Sequence, residues 1–158
     1  MSEAQIRKYA KRDRAAVLRI TDASFGGFCV DSNIEEHFGL LAGTSWQDRK
    51  RAGIDHDLRR HPKHAFVAEI GGEIVGFVCT RLYRTTCIGH IANIAVEPAH
   101  QGMGVGRQLL QAALEHFRQC GMRYARVETM EQNYKGRKLY PSLGFEEVAR
   151  QVFYLREL

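Results

Sequence analysis

The sequence contains little that bends, staples or spans. Only three prolines occur, Pro62, Pro98 and Pro141, so no proline-rich linker divides the chain. The four cysteines, Cys29, Cys79, Cys87 and Cys120, are widely spaced with no Cys-x-x-Cys pair, which argues against a disulfide scaffold and for reduced core thiols. No stretch approaches the roughly 20 apolar residues of a membrane span. The first residues, Met1 to Lys8, carry charge but no apolar core or small-residue cleavage site, unlike a signal peptide. A cytoplasmic location is expected. Internal repeats and low-complexity segments are also missing, and at about 100–200 residues per domain the chain, residues 1–158, reads as one domain.

What is present is ordinary for a globular chain: 44% hydrophobic and 26% charged residues. The excess is in charge sign, with 23 Lys and Arg against 18 Asp and Glu and a formal net charge of +5. Such a balance favours an anionic partner, whether nucleic acid, a phosphorylated cofactor or an acidic surface. No helix-turn-helix, zinc or aromatic-basic sheet motif accompanies it, so nucleic acid is not the expected partner, and neither is a membrane.

Ile6 to Ala10 can form a short first strand, followed by a helix capped by Asp13 and stopped near Gly26-Gly27. Between Asp31 and His61 the chain is polar, with one helix expected near Ile34–Leu41 and another from Ser45, as cap, through Leu58. From Ala65 the pattern changes to strand, Gly71-Gly72 turn and strand, a strong hairpin signal. Ile88 to Val96 is apolar enough for a central strand, and Pro98 ends it. Val105, Leu109, Leu110, Ala113, Leu114, Phe117 and Cys120 then recur at steps of three and four, which marks an amphipathic helix stopped by Gly121. Tyr124–Thr129 reads as strand, Asn133 opens another helix ending at Gly144, and Val148–Leu155 reads as a closing strand. Helices before a hairpin and strand–helix–strand after it indicate a mixed α/β architecture of helices on a sheet.

The densest signal is His100-Gln101-Gly102-Met103-Gly104-Val105-Gly106-Arg107, between a strand and a long helix. Three glycines at alternate positions let the main chain turn tightly and approach a ligand closely. The free N–H groups of the following helix and its positive end make this an anion site. Two familiar phosphate loops do not fit. A P-loop needs Lys-Ser/Thr after its last Gly, whereas Arg107-Gln108 follows Gly106, and a dinucleotide fingerprint would need Gly at 107.

In these residues the chain resembles the GNAT superfamily of acetyl-CoA-dependent N-acetyltransferases. Its Gln/Arg-x-x-Gly-x-Gly/Ala motif is matched by Gln101, Gly104 and Gly106, after a strand ending Val96-Glu97-Pro98. Its second element is matched by Asn133, Leu139-Tyr140 and Leu143-Gly144-Phe145. The match runs from about 64 to 145, extends over 5–27, and does not reach 28–62, the segment expected to shape the acceptor side. The resemblance implies an α+β fold with a central mixed, mostly antiparallel sheet flanked by about four helices. It further implies that acetyl-CoA is the co-substrate, with its pyrophosphate on the amides of Gln101, Gly102, Met103, Gly104, Val105, Gly106 and Arg107. The main chain of Ile94, Ala95 and Val96 would pair with the pantetheine arm, Asn133 would hydrogen-bond it, and Tyr140 would lie near the thioester sulfur. The implied function is transfer of the acetyl group to a primary amine of a small molecule, peptide or protein N-terminus. The alternative is a CoA-binding sensor or scaffold without catalysis.

Acetyl transfer needs a neutral amine. A lysine-type amine costs roughly 4.6 kcal/mol to neutralise at pH 7, an α-amine only about 1. Tyr140 is the candidate general acid for the leaving thiolate. Glu128, five residues before Asn133, is the candidate base, since the resemblance assigns that role to a Glu at the equivalent place in protein N-terminal acetyltransferases. His90, on the expected cofactor strand, is the rival. An amide near Ile94 or Ala95 would meet the oxyanion.

Other groupings are weaker. Asp55-His56-Asp57 with His61 and His64 offers metal-type ligands at no recognisable spacing, so a charged helix face and no metal are expected. Asp31, Glu35 and Glu36 could attract a cationic acceptor, although a solvated helix start is the plainer reading. Arg49-Lys50-Arg51 and Arg59-Arg60 read as solvated surface, and Trp46 as a packing anchor. Only 13 residues follow Phe145, short for the last two strands of the resembled fold. Either one strand is abbreviated or a second subunit completes the sheet edge, and the hypothesis taken is a homodimer.

Overall fold

Gly71 and Gly72 take φ of 58° and 87°, the left-handed pair that a two-residue hairpin requires and that glycine adopts without Cβ strain. They join β2 (Ala65–Ile70) to β3 (Glu73–Tyr83), where the sequence predicts a hairpin. The computed structural model describes residues 4–158; the expected start at Met1, Ser2 and Glu3 lies outside the described residues. Around the hairpin a five-stranded sheet is ordered β1-β2-β3-β4-β5. Here β1 is Gln5–Lys8, β4 is Ile88–Val96 and β5 is Tyr124–Val127. All neighbours are antiparallel except the parallel β4–β5 pair, which is the mixed, mostly antiparallel sheet that was expected.

Among the described residues five α-helices flank it: α1 (Arg14–Ser24), α2 (Val30–Phe38), α3 (Trp46–Arg60), α4 (Val105–Gln119) and α5 (Tyr134–Leu139). None of the described helices is long and apolar enough to cross a membrane. On one face of the sheet the α4 stripe of Val105, Leu109, Leu110, Ala113 and Phe117 packs on Ala68, Val75, Val78 and Ile91. On the other face, Val17 and Ile20 of α1 and Ile54 and Leu58 of α3 meet Val67, Phe77, Cys79 and Ala95. Strand alternation produces both cores, since successive side chains leave opposite faces.

Several local expectations change. Ser45 does cap α3, accepting from the Asp48 N–H at 3.1 Å, but α2 begins at Val30 rather than near Ile34. Asp13 stands at the N-cap of α1, as expected, but its side chain makes no capping hydrogen bond there. Its carboxylate instead accepts the Arg7 guanidinium fork at 2.7 and 2.9 Å and the Ala10 N–H at 2.8 Å, a set that holds its pKa below the usual carboxylate value, with Arg7 as the main cause. The expected strand over Val148–Leu155 is not formed. A strand needs a partner edge. This segment pairs with none, and leaves Val148, Val152, Phe153, Tyr154 and Leu155 exposed.

Gly89 of β4 faces α4 where a Cβ would lie 2.3 Å from Cγ of Phe117. Overpacking of this kind costs about 1–3 kcal/mol. Gly89→Ala should therefore lower the denaturation midpoint in a thermal or urea melt, and an unchanged midpoint would contradict this packing.

Candidate active site

The strands β4 and β5 pair only from Ile88↔Tyr124 to Ile91↔Val127. Beyond Ile91 a bulge displaces Ala92, because β3 pairs Cys79 with Asn93 and Thr80 with Ile91, and β4 continues to Val96 with β3 alone. Its far side is open there. The Glu97 N–H donates to Val75 of β3 at 2.8 Å, and the Ala95 carbonyl also lies against β3, beside Gly76. Main-chain groups alternate in direction along a strand, so Ile94 and Val96 present theirs to the open side while those of Ala95 are taken up by β3. The Val96 carbonyl accepts from Gln101 Nε2 at 3.0 Å and from the Ser24 hydroxyl at 3.1 Å.

The Gly-rich turn lies at the end of this open edge. Gly102 and Gly104 have φ of 80° and 81°, and Gly104 is the N-cap of α4. The first helical bond runs from the Gln108 N–H to the Gly104 carbonyl at 3.1 Å. Among the described residues no acceptor takes the N–H groups of Met103, Gly104, Val105, Gly106 or Arg107, which are the orphan donors of a helix start. Gln101 also accepts from Lys135 Nζ at 2.7 Å, and Arg107 donates to Ser142 at 2.6 Å, so cations from α4 and α5 border the fan. Leu139 and Val96 pack beside Gly106, their methyls 3.6 and 3.7 Å from where a Cβ would stand, an ordinary contact distance.

Across the opening, the Asn133 carboxamide is committed to the fold. It accepts from the Gly136 N–H at 3.1 Å as the cap of α5 and donates to Thr129 at 2.9 Å. Tyr140 follows α5, its ring set edge-on to Phe145 with centroids 6.0 Å apart. Burial pushes its phenol up to about 12, so the hydroxyl keeps its proton at neutral pH. No described residue hydrogen-bonds that hydroxyl.

The two residues read as rival bases are partners. His90 Nε2 lies 2.7 Å from Glu128 Oε2, and Arg126 pairs with the other carboxylate oxygen. Because a carboxylate only accepts, Nε2 carries the hydrogen, which leaves Nδ1 as the basic atom of a neutral ring. Nδ1 is buried without a partner, and Tyr83 stacks on the ring at 5.9 Å. Glu128 is the exposed member of the pair, at 49% of its side-chain surface.

On the α3 face a cavity of about 260 Å³ reaches Ala92 and Asn93. Its polar walls were not anticipated. Asp57, expected on a solvated face, is only 3% exposed and grips Arg81 in a bidentate pair at 3.0 and 2.9 Å. Lys50 reaches inward to Asn93 Oδ1 at 2.7 Å and lies over the Phe25 ring at 4.4 Å. Desolvation lowers its pKa. Asp55 is likewise buried, paired with Arg14 and Arg59, and Arg49 pairs with Asp31. The spacing did carry a signal, since Lys50, Ile54, Asp57 and Leu58 fall at i, i+4, i+7 and i+8 on one helix face. Two of these positions are ionic and face inward.

The acetyltransferase (GNAT) family profile matches residues 29–145. The chain belongs to the GNAT acetyltransferase family. It is 36% identical over 107 residues to the N-alpha-acetyltransferase RimI of Mycobacterium tuberculosis, covering 66% of each chain. With a mycothiol acetyltransferase of Thermomonospora curvata it shares 36% identity over 93 residues, 59% of this chain and 31% of that protein. The chain thus spans from under a third to about two thirds of these relatives. Its fold is that of the PaiA N-acetyltransferase of Thermoplasma acidophilum in complex with coenzyme A, with a TM-score of 0.73 at 18% identity over 91% of this chain and 90% of that one.

Removing Asp57 would strand the Arg81 guanidinium and loosen Asn93 and Lys50. Breaking one partner of a buried pair costs about 3–5 kcal/mol, and less here because Arg81 is 39% exposed to screening water. Asp57→Ala should lose about 2–3 kcal/mol in a denaturant titration, and a loss below about 0.5 would mean that the pair is not structural.

Proposed function

We propose that the protein is an acetyl-CoA-dependent N-acetyltransferase that moves the acetyl group to a primary amine of a small molecule, peptide or protein N-terminus. The observation that carries this reading is the open edge of β4 between the orphan N–H fan of α4 and the phenol of Tyr140. The fan and its cationic border suit a diphosphate, and the free donors of Met103–Arg107 would hold it; the Gln101 N–H, expected among them, instead donates to the Pro98 carbonyl at 3.3 Å. The main chain of Ile94 and the Val96 N–H would pair with the pantetheine amides as an added strand does. In this role the Asn133 side chain, already a cap, acts chiefly by fixing the start of α5.

The chemistry that acetyl-CoA supplies is a thioester open to attack by an amine. The residues of this chain divide the proton work. Glu128, positioned by His90 and Arg126, receives the amine proton, and Tyr140 gives its proton to the departing sulfur. The Ile94 N–H, on the open side, is the oxyanion donor. The polar cavity at Ala92–Asn93 is the entry for the acceptor, lined by the 28–62 segment together with Asp57 and Arg81. Its mixed charge and the likeness to an N-alpha-acetyltransferase favour an α-amine, which also needs less help to lose its proton.

Calorimetry with coenzyme A and thiol release from acetyl-CoA across a panel of peptide N-termini, amino acids and polyamines test this reading. Binding without turnover on any amine would make the chain a CoA sensor instead. Tyr140→Phe and Glu128→Gln should each lower kcat by about 10²–10⁴-fold while leaving coenzyme A affinity within about threefold, the deficit of a transition-state contact. Equal losses in kcat and in affinity would remove the acid and base roles.

A second copy of the chain is the partner proposed for the tail. Val148, Val152, Phe153, Tyr154 and Leu155 are exposed together, and the outer edge of β5 carries no strand. Exchange of tails between two copies would cover both. Light scattering should give twice the chain mass at micromolar concentration, and Phe153→Asp with Leu155→Asp should give the monomer. A monomeric mass for the unaltered chain would refute the dimer.

A further inference from the structure

At the end of α4 remote from the Gly-rich turn, three donor side chains converge that the acetyl-transfer reading does not use. His64 ends the turn before β2, His116 lies in the last turn of α4, and Cys120 is its C-cap. His64 Nδ1 lies 2.8 Å from His116 Nε2, Cys120 Sγ lies 3.7 Å from the same nitrogen, and all three donor atoms fall within 4.8 Å of one another. The three come from two segments brought together only by the packing of α4 on the sheet. We propose that His64, His116 and Cys120 form a binding site for a borderline-soft divalent ion of the zinc type, with water as the fourth ligand.

The donor set fits that chemistry. Two imidazoles and one thiolate are ordinary ligands of tetrahedral zinc, with metal–nitrogen bonds of about 2.0–2.1 Å and metal–sulfur of about 2.3 Å. Tetrahedral angles then place the nitrogens about 3.3 Å apart and each nitrogen about 3.6 Å from sulfur. With His64 Nδ1 and His116 Nε2 2.8 Å apart, Cys120 Sγ 3.7 Å from that Nε2 and 3.8 Å from Nδ1 of the same ring, and all three donors within 4.8 Å, binding requires the two rings to part by roughly half an ångström and the thiol to swing toward His64. On binding, the hydrogen between His64 Nδ1 and His116 Nε2 moves to the other nitrogen of the ring that carries it, and the Cys120 thiol releases one proton to solvent. Zn(II) and three neutral ligands thus become a singly charged cationic site plus one proton.

The surroundings decide which ligand matters most. Lys8, Lys63 and Arg84 bear on His64 with positive charge, which opposes a dication held by imidazoles alone. The thiolate is the group that offsets this repulsion. An ion here would tie the last turn of α4 to the entrance of β2, at the opposite end of the helix from its free N–H groups.

The test is titration of Co(II), then Zn(II), into the full chain after chelator treatment, with the fold followed by circular dichroism. One equivalent of Co(II) should produce tetrahedral visible bands and a thiolate charge-transfer band, both bleached by Zn(II), and Zn(II) should raise Tm with release of about one proton per chain. Cys120→Ser should abolish the charge-transfer band and weaken binding by more than the ~10–100-fold typical of outer-shell partners. His64→Gln should weaken it comparably, and Cys87→Ser should change nothing. If the folded chain shows no band and no Tm shift, or if Cys120→Ser and His64→Gln bind as the parent does, the site does not exist. No step requires acetyl transfer, so the outcome is independent of the enzymatic reading.

Discussion

The structure turns on the parting of β4 and β5. A sheet normally satisfies every main-chain group of an inner strand, and an unpaired buried N–H or C=O is costly. Here the partner strand ends at Val127 while β4 runs on to Val96, so an inner strand acquires an edge in mid-course. That edge is kept open from both sides. Gln101 and Ser24 hold the Val96 carbonyl, and Asn133 caps a helix whose Leu139 packs at Gly106. The opening is therefore a fixed feature of the fold, and whatever fills it must supply strand-like donors and acceptors.

The two faces of the sheet are stabilised by different means. Behind the opening, α4 presents a continuous apolar stripe, and its position is set by volume and packing. On the opposite face α3 contributes Ile54 and Leu58 as buried apolar residues but also Asp55 and Asp57, each neutralised by arginine. Ion pairs of this sort are directional and give weak net stability, yet they specify which polar groups face the cavity. The α4 side of the sheet is thus rigid and apolar, whereas the α3 side is built from polar groups held in fixed directions.

Much of this was legible in the order of residues. The Gly71-Gly72 hairpin, the Val105–Phe117 periodicity and the alternate glycines of the turn are local signals, and local signals do not depend on distant partners. Where the reading failed, tertiary contact overrode it. Asp13 resembles a helix cap until Arg7, on the strand before, takes its carboxylate. The arginines and aspartates of α3 resemble a solvated face because nothing near them in sequence reveals Arg81 or Asn93. Val148–Leu155 has the composition of a strand, but composition does not supply an edge to pair with.

His90 and Glu128 show the same limit in the site itself. Read along the chain they compete for one role, 38 residues apart. The parallel register of β4 and β5 sets His90 opposite Arg126, and one alternation further on brings the Glu128 carboxylate to the same face of the sheet. Parallel strands bring their carboxyl ends together, and the crevice beyond those ends is where ligands bind in open sheets. The point at which β4 loses its neighbour is thus the point just past the end of β5 where Glu128 stands. The same parting of strands places the His90–Glu128 pair with no dedicated loop.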